Sequence, residues 1–296
     1  MKRGQERYLS FPVIAVVSAI VYIYVTTVFV FVERWFGLAS SQGILNAAAF
    51  TGVATMCVYT YAVAVLREPG WVPLNYTPDI EDSSSPIHEI KRKSGDLRFC
   101  QKCSQYKPPR AHHCRSCKRC VLRMDHHCIW INNCVGHANY KIFFIFVFYA
   151  VIACFYSLAM LVGSLTVDHP ETEEPSSTTI YVSSPPTQFH PSLNVASISQ
   201  VISSLLVVPV GVALLVLLSW HIYLIFHNKT TIEHHAGVRA MWLAEKGGAV
   251  FKHPYDIGAY DNLTSALGPS ILCWMCPTSG NVGSGLRFRT AYDSVS

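Results

Sequence analysis

Residues 100–134 read CQKCSQYKPPRAHHCRSCKRCVLRMDHHCIWINNC, and this stretch holds seven of the chain's eleven cysteines and four histidines. It opens with C-x2-C at Cys100 and Cys103 and continues as H-H-C-x2-C-x2-C over 112–120. It closes with Asp125-His126-His127-Cys128 and a last thiol at Cys134. Thiolates and imidazoles two to four residues apart have the spacing of tetrahedral zinc sites. Two closed four-ligand sites need eight donors. Six cysteines and two histidines fill them and leave one cysteine over. A spare thiol beside histidine, aspartate and metal is a candidate nucleophile, because such neighbours favour the reactive thiolate. Spacing alone does not say which cysteine is spare.

The flanking sequence is that of a membrane protein. The chain has 296 residues, 51% hydrophobic and 14% charged, against roughly 25% charged in a soluble domain. Its mean hydropathy is +0.29. Segments 11–32, 44–66, 142–167 and 200–226 are long and apolar enough to cross a hydrocarbon core of about 30 Å, which takes about 20 helical residues. The second is the weakest, being rich in Ala, Thr and Tyr, and Pro209 with Gly211 is expected to kink the fourth. The first exceeds a signal-peptide core in length and lacks a small-residue cleavage pattern, so it reads as a retained span.

Charge sets the expected orientation. Thirteen Lys and Arg lie between 67 and 141, three in the N-terminal tail and six after 226. Residues 166–199 have none and carry Asp168, Glu171, Glu173 and Glu174. The positive-inside rule then puts both termini and the cysteine cluster in the cytosol. The expected fold is an α-helical integral membrane protein with four transmembrane helices and a cytosolic cysteine-rich zinc-binding domain between helices 2 and 3. Its parts are a hairpin of spans with an N-terminal tail over 1–74, the linker and cysteine-rich domain over 75–141, and the second pair of spans over 142–227. That pair encloses a luminal loop at 166–199, and a cytosolic C-terminal domain follows over 228–296. Cytosolic thiols stay reduced, which favours metal or catalysis over disulfides. The net charge of +5 fits topology and attraction to the lipid bilayer, worth about 1 kcal/mol per basic residue near anionic head groups. A cluster pinned between two spans is not expected to bind nucleic acid.

Residues 75–96 read as a polar linker, loosest at Ser83-Ser84-Ser85-Pro86, with Lys91-Arg92-Lys93 as a solvated or lipid-facing patch. The cluster holds only scattered hydrophobes, so metal binding is expected to supply its folding free energy. An amphipathic helix is expected over 233–246, with Val238, Met241, Trp242 and Glu245 at helical spacings and Gly247-Gly248 ending it. No internal repeats are evident.

Asp125-His126-His127-Cys128 within this region resembles the DHHC family of protein S-acyltransferases, or palmitoyltransferases. The likeness extends to Cys100-x2-Cys103, Lys107-Pro108-Pro109-Arg110 and His113-Cys114-x2-Cys117-x2-Cys120, then to Trp130, Asn133-Cys134-x-Gly136, Asn139 and Phe143. Thr230-Thr231-Ile232-Glu233 is similar to the family's TTxE motif, and 255–268 with Asn262 to its C-terminal aromatic and asparagine motif. One departure is Glu68-Pro69-Gly70, where the family often has Asp-Pro-Gly.

The resemblance implies two structural zinc ions. One would be held by Cys100, Cys103, His113 and Cys120, the other by Cys114, Cys117, His127 and Cys134. It implies Cys128 as nucleophile, His126 as general base and Asp125 as the group that orients His126. It further implies acyl-CoA, chiefly palmitoyl-CoA, as donor, and cysteines of cytosolic or membrane proteins as acceptors. Lys107 and Arg110 are candidates for the CoA phosphates, and Trp130 for the mouth of an acyl cavity. Thr231 is expected to hydrogen-bond near the active site and Asn262 to pack the tail against the cluster. From family habit the enzyme would be a multi-pass protein of the Golgi or plasma membrane.

Other readings of these residues are blander. A zinc-stapled membrane adaptor without chemistry is the alternative, though it leaves Cys128 and His126 unexplained. A transporter is disfavoured because no span carries a central charged residue. His112 reads as a surface or CoA-side residue, and His221 as a satisfied polar group in the fourth span. Cys57 and Cys154 read as small core hydrophobes. Cys273-Trp274-Met275-Cys276 is a weak metal signal or a lipidation site, and the sequons at Asn75, Asn228 and Asn262 should stay unglycosylated on the cytosolic side.

Overall fold

The computed structural model describes residues 10–78, 97–166, 195–246, 253–277 and 283–293. Ser83-Ser84-Ser85-Pro86, Lys91-Arg92-Lys93, Gly247-Gly248 and most of 166–199 lie outside the described residues. Four helices have the length and apolar composition to cross a membrane: α1 Phe11–Phe36, α2 Ser41–Leu66, α3 Tyr140–Leu165 and, within α4 Val195–Phe226, Ser197–Phe226. Most overrun the expected segments by a few residues, because the apolar run underestimates a helix by its first turn and its cap. The Ser40 hydroxyl accepts the Gly43 N–H at 2.9 Å and so starts α2 ahead of its hydrophobic residues. Gly37, at φ +75°, ends α1. α4 continues as one helix through Pro209.

α3 lies centrally, packed against both α2 and α4, with Phe143, Ile145 and Val147 buried. Lipid gives helices no hydrophobic reason to associate, so polar contacts between them count. Thr27 donates to Ser157 at 2.8 Å, Tyr156 to Asn46 Oδ1 at 2.7 Å and Gln200 to Ser164 at 3.1 Å.

Between α2 and α3 the chain forms three short antiparallel hairpins. β1 Phe99–Cys100 pairs with β2 Gln105–Tyr106, β3 His112–Cys114 with β4 Arg119–Val121, and β5 His126–Cys128 with β6 Asn133–Val135. The three share one register: Cys100 faces Gln105, Cys114 faces Arg119 and Cys128 faces Asn133. Their turns place Ser104, Lys118 and Asn132 at φ of 51°, 55° and 45°, again at corresponding positions. The domain is therefore an internal repeat, which corrects the sequence reading. The pattern escapes notice because few side chains recur and the third copy has Ile131 where the others have Cys103 and Cys117.

Asparagines fix this domain and the C-terminal region to the bundle. Asn133 Nδ2 lies 3.2, 3.3 and 2.8 Å from the carbonyls of Ala64, Val65 and Arg67, orphaned at the end of α2. Asn262 Nδ2 does the same for the Phe226 carbonyl at the end of α4, at 2.7 Å. The C-terminal region contains α5 Thr231–Lys246 and α6 Ala259–Leu267. α5 covers the expected amphipathic segment and leaves Val238, Met241 and Trp242 exposed. Residues 283–293 fold back over the hairpins. His137 Nε2 donates to the Gly283 carbonyl at 3.2 Å, and Ala291 N–H donates to the Pro254 carbonyl at 2.8 Å.

Candidate active site

Two four-residue clusters of ligand groups each join two consecutive hairpins. The C-x2-C turn of the first hairpin gives Cys100 and Cys103, and the cross-strand pair His113–Cys120 of the second completes the set. The turn of the second gives Cys114 and Cys117, and the pair His127–Cys134 of the third completes the other. His113 Nδ1 lies 3.5, 3.1 and 3.9 Å from the sulfurs of Cys100, Cys103 and Cys120. His127 Nδ1 lies 3.6, 3.5 and 3.6 Å from those of Cys114, Cys117 and Cys134. A tetrahedral zinc with bonds of about 2.3 Å to sulfur and 2.0–2.1 Å to nitrogen separates its ligand atoms by about 3.5–3.8 Å. Both clusters fit that geometry and that donor set. They could each hold one metal ion with four protein ligands, closed to substrate. Cys100, Cys114, Cys120 and Cys134 are also among the few buried side chains of the domain, beside Val72, Ala111, Val121, Leu122 and Met124. The candidate metal sites thus coincide with two of the domain's apolar clusters.

The third hairpin repeats the design without a fourth hairpin to receive it. Cys128 stands where Cys100 and Cys114 stand in the first two. Side chains alternate along a strand, so His126 and Cys128 share one face of β5 while His127 takes the other. His127 meets the second cluster. Cys128 is buried in the core formed with α2, α3 and α4, near Tyr61, Phe143 and Leu218.

Behind Cys128 lies a polar chain. The Cys128 thiol is within hydrogen-bonding reach of the His126 ring. His126 Nδ1 is 2.6 Å from Asp125 Oδ2. Asp125 is fully buried and also accepts the Thr231 N–H and hydroxyl, each at 2.9 Å. Burial works against the Asp125 carboxylate, but its hydrogen bonds and the neighbouring imidazoles hold it below the usual range. Burial likewise opposes the charged His126 ring. The hydrogen bonds to Asp125 and Cys128 outweigh it and raise His126 to about 9. His221, at 1% exposure, sits with its ring 5.9 Å from that of His126 and its Nδ1 3.1 Å from the Tyr140 hydroxyl. The structure thus brings Asp125, His126 and Cys128 together, and adds Thr231.

Arg110 departs from the sequence expectation. Its side chain is fully buried and is clamped by Glu233 through Nε and Nη2, both at 2.7 Å. Nη1 and Nη2 further donate to Asn228 Oδ1 and the Asn228 carbonyl at 3.0 and 2.7 Å, and the guanidinium lies 4.3 Å from the Tyr255 ring centroid. A guanidinium with its donors so engaged joins the hairpins to the start of α5 and does not serve a CoA phosphate. Arg98 and Lys107 are close enough that, after burial, their charges help lower His112 to about 4. Trp130 is half exposed, and its carbonyl accepts the Tyr61 hydroxyl at 2.8 Å. Asn262 is buried and packs the tail against the end of α4, not directly on the hairpins. Sequence reasoning missed Asn228 as a hub. It accepts from Arg110 and Arg123, donates to the Tyr255 carbonyl at 2.9 Å and adopts φ +45°. Only its place just before Thr230-Thr231 hinted at this.

The family model described as DHHC palmitoyltransferase matches residues 93–237. The chain is 64% identical to "Probable protein S-acyltransferase 16" of Arabidopsis thaliana, over 97% of this chain and 94% of that one. This chain belongs to the DHHC palmitoyltransferase family. It is 44% identical to "Probable protein S-acyltransferase 15" of the same plant, over 92% of this chain and 99% of that one. Identity to "Palmitoyltransferase ZDHHC2" of Danio rerio is 30%, over 69% of this chain and 50% of that one. The matched region takes in all three hairpins, α3, α4 and the start of α5, so membership rests on the part that carries Cys128.

Proposed function

We propose that the chain is a membrane-bound protein S-acyltransferase that moves a long-chain acyl group, mainly palmitoyl, from acyl-CoA to target-protein cysteines through acyl-Cys128. The observation that carries this reading is the Cys128 thiol, left outside both ligand clusters and facing an Asp125-linked His126. The Cys128 thiolate attacks the acyl carbonyl, the bond to the CoA sulfur breaks, and protonated His126 delivers its proton to the leaving thiolate. The acceptor cysteine then gives its proton to His126 and attacks the acyl-Cys128 carbonyl, which returns Cys128 as thiolate. One thioester replaces another in each half, so positioning supplies most of the acceleration. Asp125 keeps His126 oriented and stabilises its charge.

The two clusters fit structural zinc, which would brace the hairpins and hold the loop carrying Cys128. An acyl chain gains about 0.8 kcal/mol for each CH2 it buries in lipid, whereas CoA is anionic and stays wet, so the thiol belongs at the interface. Half-exposed Trp130 suits the mouth of the acyl site, and Lys107 suits the CoA phosphates. Both tails and the hairpin domain face the cytosol in this reading, within the Golgi or plasma membrane. The domain limits proposed are 1–74, 75–141, 142–227 and 228–296. Cys128→Ser should abolish a hydroxylamine-labile acyl label while zinc content and thermal unfolding stay at wild-type values. A variant that still forms the labile label would refute the nucleophile assignment.

A further inference from the structure

α4 carries a polar ring that the acyl-transfer steps leave without a task. His221 is 1% exposed and lies five residues before Phe226, the last residue of the helix. An imidazole is costly to bury in a membrane helix, and ionisable side chains kept there tend to face the bundle interior and to serve function. His221 Nδ1 lies 3.1 Å from the Tyr140 hydroxyl. Tyr140 is the first residue of α3 and is itself buried. The third hairpin sets its place. The Tyr140 N–H donates to the Gly136 carbonyl at 2.9 Å, and the neighbouring Asn139 Nδ2 donates to the Cys134 carbonyl at 2.8 Å. His221 belongs to a span but is held from the edge of the hairpin domain.

The ring stands against the Asp125–His126 pair. One nitrogen of His221, one of His126 and an oxygen of Asp125 lie within 4.8 Å of one another. The two imidazole rings are 5.9 Å apart, and Phe143, three residues beyond Tyr140 on α3, stands edge-on to both at 5.4 and 5.2 Å. The preceding residue of α4 reaches the same carboxylate through a second residue. Trp220 Nε1 donates to the Thr231 hydroxyl at 3.4 Å, and that hydroxyl donates to Asp125. Two consecutive side chains of α4 therefore serve a carboxylate of the hairpin domain. A neutral imidazole has one N–H and one acceptor nitrogen, and the bond made by one nitrogen fixes which is which. With the Tyr140 hydroxyl donating to Nδ1, the His221 proton sits on Nε2, a fixed dipole beside the charged pair. Dipoles held in place in a water-poor site stabilise charge without the cost of reorienting. At 1% exposure His221 has almost no surface to offer a substrate, so it acts on the pair and not on the thioester.

We propose that His221, its tautomer set by Tyr140, is a positioning residue that keeps the Asp125–His126 pair aligned on Cys128 during acyl transfer. This role rests on the acyl-transfer reading, which Cys128→Ser tests separately. Full-length protein in detergent would be assayed for acyl-Cys128 formation from palmitoyl-CoA, resolving kcat and KM, in His221→Leu, His221→Gln, Tyr140→Phe and the double variant His221→Leu/Tyr140→Phe. Leu fills the space without a dipole, Gln restores a neutral N–H donor, and Phe removes only the hydroxyl. His221→Leu and Tyr140→Phe should each lower kcat about tenfold, the size of one lost hydrogen bond, with KM within twofold of wild type. The double variant should be no slower than His221→Leu, because both changes break one contact, and His221→Gln should recover most of the loss. Zinc content and thermal unfolding at wild-type values identify folded variants, and if His221→Leu does not fold, Tyr140→Phe and His221→Gln carry the test. Equal kcat in the Leu and Gln variants would reduce His221 to packing and overturn the proposal. So would a Tyr140→Phe rate within twofold of wild type, a rise in KM alone, or losses that multiply in the double variant. Any of these beside a Cys128→Ser protein that has lost the labile label defeats the His221 role alone. A label that survives Cys128→Ser defeats the acyl-transfer reading and this role with it.

Discussion

Asp125 shows how one residue acquires a role from its position. Its carboxylate accepts from Thr231 twice and lies against His126, so a residue 106 positions away helps to hold the imidazole proposed as catalytic. Hydrogen bonds to charged groups are worth about 1.5–3 kcal/mol, so Thr231→Val, which keeps the backbone donor, should slow acyl-Cys128 formation by about tenfold or more. A rate within twofold of wild type would remove Thr231 from the site. The pH dependence has a definite sign. His126 is raised in the folded protein, so the Asp125–His126 pair contributes its full stability below the ordinary histidine value, near 6.5, and loses it as pH rises through about 9. Acyl transfer should decline over the same alkaline range, as measured in single-turnover assays at saturating acyl-CoA. A flat profile up to pH 10 would contradict the charged ring. The juxtaposition of Asp125, His126 and Cys128 was expected from the family likeness of the Asp-His-His-Cys order, and the strand alternation that sends His127 the other way appears only in the structure. Thr231 was legible only through family likeness. The burial of Arg110 was not, since its partners Asn228 and Glu233 lie more than a hundred residues downstream and leave no local pattern.

At the scale of elements, two kinds of joint hold the hairpins. The first is ionic. Glu233 ties α5 to Arg110, and despite burial the facing guanidinium holds its carboxylate below the usual range. That stabilisation is present above the ordinary glutamate value, about 4.3, and disappears as pH falls through the lower folded value. Glu233→Gln strands a buried guanidinium and should lower stability by about 3–5 kcal/mol, read as a fall in Tm in detergent. An unchanged Tm would show that Asn228 and Tyr255 suffice for Arg110. The second joint is the shared ligand cluster. Cys103→Ala removes one donor from the first cluster and should release metal and destabilise the domain, measured by elemental analysis and thermal unfolding. Full metal content with wild-type unfolding would refute a structural role. The C-x2-C spacings announced the second of these joints but not the first. The fourteen-residue repeat stayed hidden because what recurs is register and backbone conformation more than side chains.

For the whole molecule, length and hydropathy marked four spans to within a few residues, since the lipid core sets how many apolar residues a helix must present. Contacts at the helix ends, such as Asn133 with the end of α2 and Asn262 with the end of α4, carry no hydrophobic signature and were invisible to that reading. The hairpin domain and the segment after α4 bond to each other through Asp125–Thr231 and Arg110–Glu233, so they share one end of the bundle. In the topology proposed from the positive-inside rule that end faces the cytosol. Exposed Cys276 reports on it: a membrane-impermeant maleimide should label it in sealed right-side-out vesicles only after permeabilisation. Labelling of intact vesicles would invert the proposed topology.

The three hairpins form a relay in which each turn is secured by the one behind it, and the relay simply runs out. The first two turns hand their sulfurs forward to a successor's histidine and cysteine; the last has no successor, and Ile131 replaces the second sulfur it would need. The reactivity proposed for Cys128 would thus arise by omission, from a cysteine at the end of a series that offers it no partner sulfur.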